Sequence, residues 1–111
     1  MRINIGKLEL ASFLQQHETY ISGHELKARA KKQGCLTGGR EVAKEVQGQL
    51  NAVKNSGLSA EARKAGVYLC IPGEDRVWYL DWLVKRHEWY LGGDSLDIGF
   101  FAYYRLLRPR G

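Results

Sequence analysis

Five side chains share a chemistry and a spacing: Arg40, Lys44, Gln47, Asn51 and Lys54. Arginine and lysine hold phosphates or guanine edges, and glutamine and asparagine make paired hydrogen bonds to adenine. At about 100° per helical residue, the five fall within an arc of about 80°. Val42, Val46, Leu50 and Val53 fall within a similar arc on the opposite side. Residues from Gly38 to Asn55 therefore read as an amphipathic helix, with an apolar inner face and an outer face suited to duplex DNA. Lys27, Arg29, Lys31 and Lys32, just upstream, are the expected accessory phosphate contacts.

A second inventory is aromatic. Trp78, Tyr79, Trp82, Trp89, Tyr90, Phe100, Phe101, Tyr103 and Tyr104 are too many for a chain of 111 residues to bury easily. Exposed Trp and Tyr are typical anchors of protein interfaces, and they also stack on unpaired bases. Trp82, Trp89, Tyr90, Tyr103 and Tyr104 are the expected anchors for a protein partner or a second copy of the chain.

Catalytic and metal chemistry find little support. His17, His24, Cys35 and Cys70 follow no known zinc-ligand spacing. Ser22 beside His24 fits a helix cap better than a nucleophile, which would need a base and an orienting acid. Asp94 and Asp97 read as loop and cap residues. Gly38-Gly39 lacks the Lys-Ser/Thr that completes a phosphate loop. The expectation is a protein that is not an enzyme and carries no cofactor and no metal.

Charge favours polyanionic partners. The chain has 17 Lys and Arg against 12 Asp and Glu. Residues 1–64 hold 11 basic and 6 acidic side chains, and residues 65–111 hold six of each, so the whole surplus lies in the half with the basic helices. Cys35 and Cys70 form no CxxC pair and suggest no secreted disulfide framework. No window approaches the roughly 18 apolar residues that span a bilayer. A reducing cytoplasm is the expected setting, with no membrane partner.

The elements that must position these residues follow from local signals. Leu8, Ala11 and Leu14 predict a first helix from about Lys7 to His17. Ser22-Gly23-His24-Glu25 fits a capping box, Ile21 and Leu26 a hydrophobic staple, and Gly34 a left-handed helix end, so a second helix spans 22–34. Thr37 is the expected cap of the third. Ser59–Lys64 fits at most a turn of helix. Val67–Ile71 and Arg76–Leu80 flank Pro72-Gly73-Glu74-Asp75 as a hairpin. Leu80, Val84, His87 and Leu91 would share a helical face, Gly92-Gly93-Asp94 reads as a loop, and Ser95 opens a last helix to about Leu107.

This order resembles a winged helix-turn-helix domain over roughly residues 7–80. The likeness is carried by Ile21-Ser22-Gly23-His24-Glu25-Leu26, by the Val42, Val46, Leu50 and Val53 face, and by Ser56-Gly57-Leu58 before the hairpin. The resemblance implies a third helix in the major groove and a hairpin wing on the flanking backbone. The expected fold is α+β and mostly α. It is a single domain over 1–111: a three-helix, helix-turn-helix-like core, a short β-hairpin, and one or two aromatic-rich C-terminal helices over 81–111. The expected function is a small DNA-binding transcription regulator, duplex DNA being preferred to RNA. The alternative is a compact inhibitor or adaptor that grips a protein or nucleoprotein through its basic and aromatic surface.

Overall fold

A computed structural model describes residues 3–53 and 55–110. The segment with the strongest local signals forms as expected. Tyr20–Ser22 is extended and Gly23–Lys32 is helical. Ser22 Oγ accepts the Glu25 N–H at 3.2 Å. Ile21 and Leu26 are both buried. At the other end Cys35 N–H reaches Ala30 O and Gly34 N–H reaches Lys31 O, the paired bonds of a left-handed glycine terminus. Gly34 has the positive φ this requires. Glu25 turns to Arg29 rather than back to the cap.

Around this helix the architecture departs from expectation. After a 3-10 turn at Ile5–Lys7 the chain forms β1 (Leu8–Ala11), β2 (Tyr20–Ser22), α1 (Gly23–Lys32), α2 (Gly39–Ala52) and α3 (Gly57–Ala65). There follow β3 (Tyr68–Pro72), β4 (Arg76–Leu83), β5 (Glu88–Ser95), β6 (Gly99–Phe101) and β7 (Tyr104–Pro109). The chain is 34% helix and 35% strand, so the mostly α assignment is wrong. Five strands make one sheet in the order β1-β7-β3-β4-β5, and β2 pairs with β6 in a separate ribbon. Strands β3 and β7 run parallel; every other pairing is antiparallel.

Both faces of the large sheet are covered. On one, Leu69, Ile71, Leu80 and Leu107 pack with Val46 and Leu50 of α2 and Ala62 of α3. On the other, Cys70, Val77 and Leu106 pack with Leu26 and Ala30 of α1 and Phe100 of the ribbon. A three-helix core therefore does not form; each helix packs on the sheet. The expected helix over 7–17 begins instead as β1, paired with β7 from Leu8↔Pro109 to Ala11↔Leu106. The expected C-terminal helices are β5, β6 and β7. Leu106 and Leu107 are both fully buried, and a strand covered on both faces shows no alternation, so periodicity cannot separate it from a helix.

Smaller differences have local causes. The β3–β4 hairpin forms, with its turn centred on Glu74-Asp75 and closed by Gly73 N–H to Arg76 O at 2.8 Å. Gly38, not Thr37, is the cap position of α2, and no side chain caps it. Helix α2 ends at Ala52, which leaves Val53 57% exposed rather than in the core. Ser56-Gly57 opens α3, a full nine-residue helix: Ser56 Oγ accepts the Ser59 N–H and Gly66 closes the helix at φ 68°. Glycine is required at position 23, where a Cβ would lie 2.7 Å from the Leu96 backbone. The α1 N-terminus is thereby seated on the 96–98 loop, Gly23 N–H donating to Ile98 O and His24 N–H to Leu96 O.

Arg29 ties the loop after β1 to α1. It donates to both carboxylate oxygens of Glu18, at 2.5 and 2.8 Å, and to Phe13 O at 2.8 Å. The two Arg29 bonds to Glu18, with the Gln15 N–H, hold the Glu18 carboxyl down to about 2 from an ordinary 4.5. A lowered folded-state pKa stabilises the protein above the unfolded value, and the contribution is lost as pH falls toward the folded one. Arg29→Met should therefore flatten the loss of stability between pH 4.5 and about 2 in urea unfolding. An acid limb as steep as the parent's would contradict this role.

Candidate interaction surfaces

The polar stripe of α2 divides into two parts. Arg40 and Lys44, in its first half, are exposed. Gln47 and Asn51 are not turned to solvent. Gln47 Nε2 donates to Trp89 O at 3.0 Å, Asn51 Nδ2 donates to the same oxygen at 3.2 Å, and Asn51 Oδ1 accepts the Trp89 N–H at 2.7 Å. β5 is an edge strand, and the outward-facing peptide groups of Trp89 would otherwise lack a ladder partner. The two amides supply it. Lys54 lies outside the described residues. Gln49, the polar residue on the apolar side of the helix, reaches the N-terminal segment, donating to Ile3 O and accepting from Ile5 N–H.

Helix α1 contributes cations to two separate places. Lys27 and Lys31 join Arg40 in a groove of about 700 Å³ between the start of α2 and the β3–β4 turn. Lys27 Nζ donates to Glu74 O at 3.0 Å. Glu74 and Asp75 line the same groove, so three cations meet two carboxylates. Lys32 faces a different groove, shared with Glu25, Arg29 and Gln15.

The expected aromatic anchors also divide. Trp89 is 1% exposed, and its Nε1–H donates to the buried Ser59 Oγ at 3.0 Å. Tyr104 is buried. Trp82 is half-buried between Trp89 and the Arg63 guanidinium, which stands 4.8 Å above its ring. Only Tyr90, 51% exposed, and Tyr103, 49% exposed, reach the surface as anchors should.

Tyr103 belongs to a row that the sequence did not bring together. Ring centroids step from Tyr79 to Tyr68 by 5.8 Å, to Tyr103 by 5.7 Å, to Phe101 by 5.7 Å and to Tyr20 by 5.5 Å. These are the separations of directly interacting rings, and the Tyr103–Phe101 planes are stacked within 6°. Sheet register builds the row. Tyr20 faces Phe101 across the ribbon, and Tyr68 faces Tyr104 across the parallel pair. Glycines let the end rings lie down: a Cβ at Gly99 would meet Tyr20 at 2.9 Å, and one at Gly92 would meet Tyr79 at 2.4 Å. Gly92 and Gly93, expected in a loop, are in β5, with the Trp78 ring across Gly93 on the opposite face. The available signal was the pairing of two aromatic residues with two glycines in consecutive stretches.

Reactive groups remain scattered. Burial raises the Cys35 thiol and, with Asp94 nearby, raises the Cys70 thiol well above its ordinary value. Among the described residues no three His, Cys, Asp or Glu side chains group as metal ligands. His24 Nε2 lies 3.0 Å from Asp97 at an exposed site. Ser95 Oγ accepts the Asp97 N–H, closing a turn and not a helix. No helix among the described residues is long and apolar enough to cross a membrane. Comparison with family models, curated proteins and solved structures finds no match to this chain.

Asn51 should matter to stability more than any cation of its helix. Asn51→Ala would remove the side-chain acceptor of the Trp89 N–H, at a cost of about 1–3 kcal/mol. Arg40→Ala and Lys44→Ala should each change stability by less than about 0.5 kcal/mol. Urea unfolding of the three variants distinguishes them, and equal small losses would show that the edge contact is dispensable.

Proposed function

We propose that this chain is a compact, non-enzymatic adaptor or inhibitor that grips a protein partner through the aromatic row. The observation that carries this reading is the continuity and exposure of its outer half: Tyr20 is 58% exposed, Phe101 40% and Tyr103 49%. Contiguous apolar surface of this kind is kept out of water in a complex. Tyrosine suits such a surface because it combines a large apolar area with few rotatable bonds. The row rests on strands held by register and by close glycine contacts, so little ordering is required on binding. Cys35 and Cys70 are buried free thiols, which fits a reducing cytoplasmic setting.

A second reading is favoured by the groove that gathers Lys27, Lys31 and Arg40, with Lys44 one turn farther along α2. Nucleic acid held there would be bound by its phosphates, because Gln47 and Asn51 are hydrogen-bonded to Trp89. Binding would then be strongly salt-dependent and nearly independent of sequence.

Two measurements separate the readings. Affinity capture with the parent should retain a stoichiometric protein partner that Phe101→Ser with Tyr103→Ser loses while its thermal unfolding stays close to the parent's. Retention by the double variant would remove the aromatic surface from the function. Anisotropy titration with duplex DNA at about 50 mM salt tests the groove: Lys31→Ala with Arg40→Ala should weaken any binding several-fold, and no binding by the parent excludes the second reading.

A further inference from the structure

Beside the inner end of the aromatic row the sheet carries two carboxylates that no other described residue pairs with. Alternation along the strands, with Tyr79 opposite Gly92 and Asp81 opposite Tyr90, puts Tyr79, Asp81, Tyr90 and Asp94 on one face. α1 packs over the Val77 end of that face. Asp81 and Asp94 are each partly buried. The ion pairs of the described residues use Glu9, Glu18, Glu25, Glu88 and Asp97, and among the described residues neither Asp81 nor Asp94 meets a hydrogen-bond donor or a cation. The Tyr79 phenol lies over Gly92, between Tyr90 and Asp94 on the neighbouring strand.

This juxtaposition is costly as it stands. A partly desolvated carboxylate without a partner loses hydration, and burial raises the Asp81 carboxyl above its ordinary value. Burial first, and then Asp94, Tyr90, Asp81 and Tyr68, push the Tyr79 phenol up, and none of these groups is a cation. A cation placed here would pair with carboxylate and lie on an electron-rich ring face in the same step. Arginine satisfies both demands best, being planar, stacking on aromatic rings and bidentate toward carboxylate. Phosphate would be repelled.

We infer that the segment of the partner that crosses the β4–β5 end of the surface is basic, its arginine or lysine side chains lying on Tyr79 and Tyr90 and pairing with Asp81 and Asp94. The inference rests on the protein-binding reading above and names the chemistry of the partner. Charge complementarity selects this occupant: the patch is acidic on a chain whose formal charge is +5. A second copy would have to bring its own basic groove, and that arrangement is an outcome the test detects.

The experiment uses the full chain and a fluorescein-labelled octa-arginine peptide, with octa-glutamate and a duplex DNA of random sequence as controls. Anisotropy titration should show binding of octa-arginine that falls by about tenfold or more in Asp81→Asn with Asp94→Asn. It should be unchanged in Lys31→Ala with Arg40→Ala. Amide resonances of Tyr90 and Asp94 should shift on titration. No binding of the peptide, binding indifferent to the Asn substitutions, or shifts confined to other strands would each overturn the inference. A concentration-dependent dimer mass in light scattering, abolished by the same Asn substitutions, would overturn it in favour of a second copy. The two proposals fail separately. A captured partner lost by the Phe101 and Tyr103 changes but kept by the Asn changes defeats only the basic segment, and one kept by both defeats the surface as a whole.

Discussion

The parallel pairing of β7 with β3 is the constraint on which the rest of this molecule depends. It sets Leu106 beside Cys70 and inserts the last strand between β1 and β3. A strand in the middle of a mixed sheet must be covered on both sides, and Leu106 and Leu107 are buried on opposite faces. Helices are therefore needed above and below. α2 and α3 close one face, and α1 with the β2–β6 ribbon closes the other. On its other side β7 pairs antiparallel with β1, where Arg108 Nε donates to Glu9 at 2.6 Å.

Edge protection follows from this arrangement. With β7 in the middle, β5 is left at the rim, where unpaired peptide groups invite association with other chains. Asn51 and Gln47 occupy those groups at Trp89, and Arg76 reaches Gly93 O from the neighbouring strand. The same amides, taken as free, look like base-reading residues. Helical spacing places them correctly on a face opposite the valines. It cannot show that the face curls over a strand edge supplied by residues almost 40 positions away.

The aromatic row is the counterpart. Its members come from β2, β3, β4, β6 and the β6–β7 turn, and only sheet register makes them neighbours. Gly92 and Gly99 remove the side chains that would otherwise hold the rings upright. One end of the row is open and apolar, while the other is flanked by Asp81 and Asp94. A basic chain thus carries an acidic, aromatic strip on the face away from α2 and α3.

What the sequence determined by itself was local. The cap, staple and glycine terminus of α1, the amphipathic body of α2 and the β3–β4 hairpin are each specified by residues within one or two turns of one another, and all three formed. So did the separation of exposed Arg40 and Lys44 from the core-facing Val46 and Leu50. The tertiary structure decided the remainder. Leu8–Ala11 and Tyr104–Pro109 became strands because each completes the other's backbone hydrogen bonds across about 100 intervening residues, a gain invisible in either segment alone. Trp89 became core because Ser59 and Trp82 meet it from α3 and β4. Amide side chains and aromatic rings carry the same chemistry wherever they sit, and only the sheet determines whether that chemistry is satisfied within the protein or offered outside it.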